Sequence, residues 1–203
     1  MTIERGQEWG TAGPLAADGV VVSSDAEAHD VVAAARRDKH DPPELGLLGG
    51  DLCRTVGGRG DAERLSTGAA QRLPIDLGVA LLDGRPEIFV AHLVVPGRFW
   101  LGPWTVIMNA SWLGDWQFAP ASHPNDGRLE IFEGTVPLND LASFRRRARA
   151  GTHLPHPKIA ARRTRSAQFE FDRPRRVVVD GRPTGRVRTI SVRVESDRLL
   201  CVV

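Results

Sequence analysis

The stretch VVVSSDAEAHDVVAAA, residues 20–35, decides the fold, because a short apolar run passes through a polar turn into an alanine-rich helical pattern. Residues 45–56, LGLLGGDLCRTV, repeat the arrangement. Strand, helix, strand and helix in this order predict a parallel βαβα unit with a right-handed crossover. Asp25 and Asp51 stand at the two turns, where each can cap the helix that follows. A strand that runs directly into a helix is also a common phosphate-binding junction.

Beyond residue 68 the pattern changes to a period of two, which is typical of antiparallel strands. Leu73–Leu82 and Glu87–Val95 predict one hairpin, and Asp180-Gly181 predicts the turn of another. A single helix is predicted at about residues 138–150. The predicted fold class is therefore an α/β remnant followed by a mostly antiparallel β-sandwich domain. Its expected parts are an N-terminal arm at 1–18, the α/β part at 19–68 and the β-sandwich at 69–203, whose last strand could return to the α/β part.

The composition is that of an ordinary globular protein, with 203 residues and a formal net charge of +2. No apolar run is long enough to span a bilayer, and the first residues have no apolar signal core. Two cysteines far apart in sequence, Cys53 and Cys201, are too few for a disulfide framework. We expect a protein of the cytoplasm or of the membrane periphery.

The positive charge is concentrated in one segment, because no acidic residue lies between Asp140 and Glu170. Such a segment can bind a lipid or an anionic membrane surface through residues 141–169, or can simply be a solvated helix face. Nucleic acid is a less favoured partner, since tyrosine is absent and few aromatic residues are interleaved with the cations. The cations are Arg145, Arg146, Arg147, Arg149, Lys158, Arg162, Arg163 and Arg165.

Taken in order, several stretches resemble the diacylglycerol kinase and sphingosine-kinase-like family of lipid kinases. VVVSSDAEAHDVV is similar to that family's strand, Gly-Gly-Asp-Gly-Thr loop and helix, and LGLLGGDLCRTVGG to its second loop. IDLGVALLDGRPEIFV is similar to the first hairpin of its β domain, and VVVDGR to its Asp-Gly-Glu motif. The resemblance covers roughly residues 18–203. It implies a kinase that uses Mg²⁺ and ATP to phosphorylate a lipid hydroxyl.

The resemblance also implies roles for particular residues. Asp180 stands where the family has its catalytic base, and Asp126, helped by the carbonyl of Arg128, stands at a structural metal site. Each aspartate has a plain structural interpretation as well, as a helix cap or part of a turn. The loops that would hold cofactor phosphates and Mg²⁺ correspond to Ser23, Ser24, Asp25, Gly49, Gly50 and Asp51.

The sequence departs from the family where phosphate would be held. Side chains replace glycines at residues 23–27, and Glu27 adds a negative charge towards the polyphosphate. Two like unit charges ~4 Å apart repel by about 4 kcal/mol at an effective dielectric constant near 20. The second loop lacks the family's Gly-Thr, and Arg182 replaces a carboxylate. The family's earlier strands have no counterpart before Val20, and we expect the N-terminal arm, anchored by Trp9, or a second subunit to cover the resulting sheet edge.

Three functions therefore stay open. The first is a lipid-kinase-like protein with lost or strongly reduced ATP-dependent phosphorylation, which binds a lipid, an anionic headgroup or a protein partner and forms a homo-oligomer. No cofactor is expected in that case. The second is an active lipid kinase, dependent on Mg²⁺ and ATP and completed by another subunit. The third is a protein whose basic segment binds nucleic acid or a membrane surface.

Overall fold

The computed structural model describes residues 9–97 and 102–203. The α-helices of these residues are α1 Asp25–Arg37, α2 Gly50–Thr55, α3 Ala62–Leu65 and α4 Leu141–Arg149, the last preceded by a 3₁₀ turn at Leu138–Asp140. The strands are β1 Thr11–Ala12, β2 Val20–Val22, β3 Leu45–Leu47, β4 Gln71–Leu82, β5 Arg85–Phe89, β6 His92–Val95, β7 Trp104–Met108, β8 Leu129–Gly134, β9 Ile159–Thr164, β10 Ser166–Val179 and β11 Arg182–Val202. Across these residues, no helix is long and apolar enough to cross a membrane.

The strands form one hydrogen-bonded network that is mostly antiparallel, as the sequence predicts. Its main path runs β1-β4-β11-β10-β6-β7-β8-β9, with β5 added to β4 and with β2 and β3 added beside β11. The 21-residue strand β11 is the axis of the network, since it pairs with both β4 and β10. Three larger clusters of buried apolar side chains pack against this network.

The N-terminal strands are joined to the rest of the molecule by the end of the chain. β2 pairs in parallel with β3, from Val20 opposite Leu45 to Val22 opposite Leu47. The last residues of β11 continue this parallel pairing, with Cys201 opposite Leu45. The C-terminal strand therefore does return to the α/β part, and both cysteines lie buried as free thiols in this region.

Several predicted boundaries are wrong, and each has a local cause. The predicted strand Glu87–Val95 is broken between β5 and β6, because the amides of Val90 and Ala91 bind the carboxylate of Asp180 instead of a neighbouring strand. β10 runs without a break over Ser166–Val179, but its pairing with β11 shifts register between Glu170 and Arg175. The shift accommodates the interruption of the alternating pattern at this point.

The N-terminal arm packs against β4 and does not cover the edge of the parallel strands. β1 pairs with β4, and the indole N–H of Trp9 donates to the carbonyl of Pro74 at 3.1 Å. The outer edge of β2 has no strand partner within residues 9–97 and 102–203, and Val21 there is 49% exposed. The prediction that the arm covers this edge is therefore wrong for residues 9–18, while residues 1–8 lie outside the described part. Cover by a second subunit stays a prediction.

Candidate functional site

Four segments that are distant in sequence converge at the end of the parallel strands. The turns after β2 and β3 carry Asp25 and Asp51, the start of β6 carries His92, and the turn between β10 and β11 carries Asp180. One ligand atom from each of Asp25, Asp51 and His92 lies within 4.8 Å of the others. The structure therefore brings together three of the aspartates that the sequence singles out, together with a histidine that it does not.

The first turn is closed by its own side chains. Ser24 is the N-cap of α1, because its hydroxyl accepts from the amide of Glu27 at 3.2 Å. The Glu27 carboxylate in return accepts from the amide of Ser23 at 2.7 Å. The pair is a variant of the capping box, in which the carboxylate accepts from the amide one residue before the N-cap. The prediction that Asp25 caps α1 is therefore wrong, and an internal carboxylate occupies an amide that the family resemblance assigns to phosphate.

Asp25 is bonded instead to the neighbouring helix. Its two carboxylate oxygens accept from the amides of Asp51 at 2.6 Å and Leu52 at 3.0 Å, both in the first turn of α2. The predicted cap of α2, Asp51, has no such role, since Gly49 is the N-cap and makes no side-chain bond. Gly49 lies so close to the first turn that a Cβ atom there would stand 2.4 Å from the carbonyl oxygen of Ser23. The hydrogen bonds of Asp25 and the close approach of Gly49 to Ser23 therefore hold the two turns together.

Asp51 connects this pair of turns to the β region. Its carboxylate lies 2.9 Å from Nε2 of His92 and accepts from the amide of Gly114 at 2.9 and 3.0 Å. Burial favours the neutral acid, but the bonds from His92 and Gly114 outweigh it and lower the pKa of Asp51. Burial by itself would lower the pKa of His92, but the bond to Asp51 and the nearby carboxylates raise it. The two shifts together favour an imidazolium–carboxylate pair.

The pKa of Asp25 is shifted in the opposite direction from that of Asp51. Burial raises its pKa to about 6, because the two amide bonds from α2 only partly offset the loss of hydration. The nearby charge of Asp180 acts in the same direction as burial. The site therefore holds one carboxylate that stays ionised and one that takes up a proton close to neutral pH.

Asp180 is enclosed by the backbone. Its carboxylate accepts from the amides of Val90 at 2.9 Å, Ala91 at 2.9 Å and His92 at 3.0 Å, and its side chain is 0% exposed. His29 lies 3.4 Å away through Nδ1 and faces Glu87 with its other nitrogen at 3.5 Å. A general base must reach the hydroxyl whose proton it takes. The carboxylate is directed at three buried amides of the same chain.

These residues do not fit a hydrated Mg²⁺ ion well. Mg²⁺ prefers oxygen ligands in octahedral geometry. Here both oxygens of Asp25 already accept from amides, and the third member of the group is a histidine, whose nitrogen suits transition metals rather than Mg²⁺. His92 itself supplies the positive charge that the surrounding carboxylates require.

The metal site implied at Asp126 is also next to an internal cation. One oxygen of Asp126 accepts from the amide of Arg128 at 2.9 Å, and the other pairs with Arg163. Arg163 pairs in addition with Glu130 at 2.9 Å. Asp76 is a buried acid near this turn, and burial raises its pKa to about 6 although the amide of Gly127 donates to it. A metal role for Asp126 and the Arg128 carbonyl stays a prediction.

A cleft of about 620 Å³ opens beside Asp180, between α1 and the two hairpin turns of the β region. Ala33, Val79 and Ile88 contribute apolar walls. Its charged members are the arginines Arg36, Arg37 and Arg182 and the acids Asp30 and Glu87. Arg36 pairs with Glu195 and Arg182 with Asp30, whereas Arg37 has no ion pair with any residue that the structure describes.

His92 and His29 could have been found from the sequence. His92 is the polar residue of the apolar run FVAHLVV, and a lone polar side chain in a buried strand requires a partner. His29 follows Asp25 by four positions, so the two share a helix face. The bond between Asp51 and Gly114 has no comparable signal, because a backbone amide carries no residue identity.

Comparison with known proteins identifies the class of fold. No family model and no curated protein matches this sequence. Among solved structures, three proteins assigned as diacylglycerol kinases from Bacillus anthracis str. Sterne, two of them provisionally, match with TM-scores of 0.70, 0.69 and 0.65. They are 13%, 12% and 14% identical to this chain, and the matches cover 91% of it and 77%, 77% and 75% of theirs. The chain therefore has the diacylglycerol-kinase-like fold, and at this identity the likeness is one of fold.

Proposed function

We propose that this protein has the lipid-kinase fold without ATP-dependent phosphotransfer, and that it binds an anionic amphiphile in the cleft beside Asp180. The observation that carries the first part is the Glu27 carboxylate on the amide of Ser23. Phosphoryl transfer depends on positioning the polyphosphate and neutralising its charge. A fixed carboxylate at the loop does neither, since it occupies a donor and repels the ligand.

The acids around the loop support the same proposal. Asp25 holds the start of α2, Asp51 holds His92 and Gly114, and Asp180 holds three amides of residues 90–92. Each carboxylate that the resemblance assigns to chemistry is thus used to join two parts of the fold. These carboxylates stabilise the fold whether or not they also bind a ligand, so the fold can persist without the activity.

The cleft supports the choice of ligand. Apolar walls beside several cationic groups suit a molecule with an acyl chain and a phosphate or carboxylate head. Arg37, which has no ion pair within the described residues, is the cation most available to such a head. Arg binds phosphate through a planar fork of donors.

Titration calorimetry tests both parts of the proposal. Dihexanoyl phosphatidic acid, used below its micelle concentration, is expected to bind, whereas Mg-ATP and dihexanoyl phosphatidylcholine are not. Arg37→Ala is expected to weaken binding about tenfold, the effect of losing one charge-assisted hydrogen bond. Arg173→Ala, which removes an exposed arginine of β10 that does not line the cleft, is the matched control. Micromolar binding of Mg-ATP, or phosphorylation of diacylglycerol, would show that the proposal is wrong.

The open edge of β2 favours a second candidate, an active lipid kinase completed by another chain. Val21 is 49% exposed, and an unpaired strand edge can accept a further strand. In that case a complex with the second chain would phosphorylate diacylglycerol with Mg-ATP. Turnover would be lost in Asp180→Asn under conditions in which the variant stayed folded.

A further inference from the structure

The basic segment is divided by the structure into paired and unpaired arginines. On β9, Arg162 pairs with Glu133, and Arg163 pairs with Asp126 and Glu130. None of the four arginines of α4 forms an ion pair with a described residue, and all four are exposed. Six cations of this segment therefore have no ion pair with a described residue; two of them are Lys158 and Arg165, and the other four lie on one helix.

Helical spacing places three of these arginines on one outward face. Phe144 and Ala148 are buried one turn apart and fix α4 against the β region. Arg145, Arg146 and Arg149 lie on the opposite side, whereas the Nε of Arg147 donates to the carbonyl of Thr152. Because the buried side is anchored, the cationic face has a fixed orientation.

An exposed apolar side chain adjoins the cations. Leu138, in the 3₁₀ turn that leads into α4, is 72% exposed and is the most exposed large apolar side chain in the described part of the chain. Leu138 begins the continuous 3₁₀ and α-helical run that carries the arginines, three residues before α4 starts. Cations beside a protruding leucine are the combination with which peripheral proteins bind anionic bilayers.

We propose that the α4 surface, formed by Leu138, Arg145, Arg146 and Arg149, docks this protein onto an anionic lipid bilayer. The arginines lie at the headgroups, and Leu138 enters the acyl boundary. Nucleic acid fits less well, because the aromatic residues of the segment are buried, Phe144 at 2% and Phe169 at 9% exposure, and offer no stacking surface. The surface shares no residue with the cleft, so this inference does not depend on the proposed function.

Co-sedimentation with vesicles of phosphatidylcholine alone, or with about a third phosphatidylserine, tests the proposal. Binding is expected to the anionic vesicles only, and to weaken at raised salt. Replacing Arg145, Arg146 and Arg149 together by Ser is expected to weaken partitioning about 100-fold. Replacing Arg59, Arg85 and Arg173, which are exposed on other elements, gives the same change in net charge and is the matched control.

Leu138→Ser separates a bilayer from a polyanion in general. It is expected to weaken vesicle binding about tenfold without changing the charge. The proposal is overturned if the protein does not sediment with anionic vesicles, or if the two triple variants behave alike. It is also overturned if Leu138→Ser has no effect and single-stranded DNA is bound as tightly as the vesicles, because the surface would then act by charge alone.

Discussion

Replacing Asp180 tests whether this residue is a structural acceptor or a catalytic base. Asp180→Ala leaves the buried amides of Val90, Ala91 and His92 without their acceptor. An unsatisfied buried donor costs about 1–3 kcal/mol, and partial rearrangement makes the sum less than additive. We therefore expect the free energy of unfolding to fall by about 3–5 kcal/mol, a large part of the about 5–15 kcal/mol that is usual for a domain.

Urea unfolding followed by tryptophan fluorescence measures this loss. With a slope of about 2 kcal/mol/M, the midpoint is expected to move down by about 2 M. Asp83→Ala is a matched control, because Asp83 occupies the same left-handed position of an Asp-Gly turn, with φ of 48° against 47° for Asp180, and also accepts from two amides. Its carboxylate is exposed, so water can replace it and the midpoint is expected to move much less. Equal midpoints for wild type and Asp180→Ala would refute the structural role.

Two further predictions concern the acids and the junction of the two turns. Burial raises the pKa values of Asp25 and Asp76 from 3.8 to about 6, so the folded state holds protons more tightly than the unfolded state, and stability is lost as the pH rises through 6. Between pH 5 and 8 the free energy of unfolding should fall by about 1 kcal/mol less in Asp76→Asn than in the wild type, measured by urea titrations. The comparison isolates Asp76 from His123 and His153, whose lowered pKa values change stability in the opposite direction over this range; the same pH dependence in both proteins would contradict the assignment. Gly49→Ala should lower the free energy of unfolding by about 1–3 kcal/mol, since the added Cβ would meet the Ser23 carbonyl. Gly68 has open space around it, so Gly68→Ala should leave the free energy of unfolding almost unchanged. Equal urea midpoints for the two variants would argue against the close contact at Gly49.

The resemblance was enough to predict the fold, and the local patterns were enough to predict most elements. Alternating apolar residues predict β4, and the alanine-rich pattern after Val22 predicts α1. The predicted strand boundaries are wrong where a side chain, and not a neighbouring strand, accepts the backbone hydrogen bonds, as at Val90 and Ala91. A strand pattern records which residues are buried and does not record which group satisfies their amides.

The sequence by itself determined the turns, because these depend on residues a few positions apart. Asp180-Gly181 is such a local feature, since it was predicted as a hairpin turn and connects β10 to β11. Only the tertiary structure decided what the carboxylates bind, since Asp180 reaches amides 88 to 90 residues away and Asp25 reaches α2 across 26. Contacts between distant segments depend on how the whole sheet closes, and that closure brings the end of β11 back beside β3.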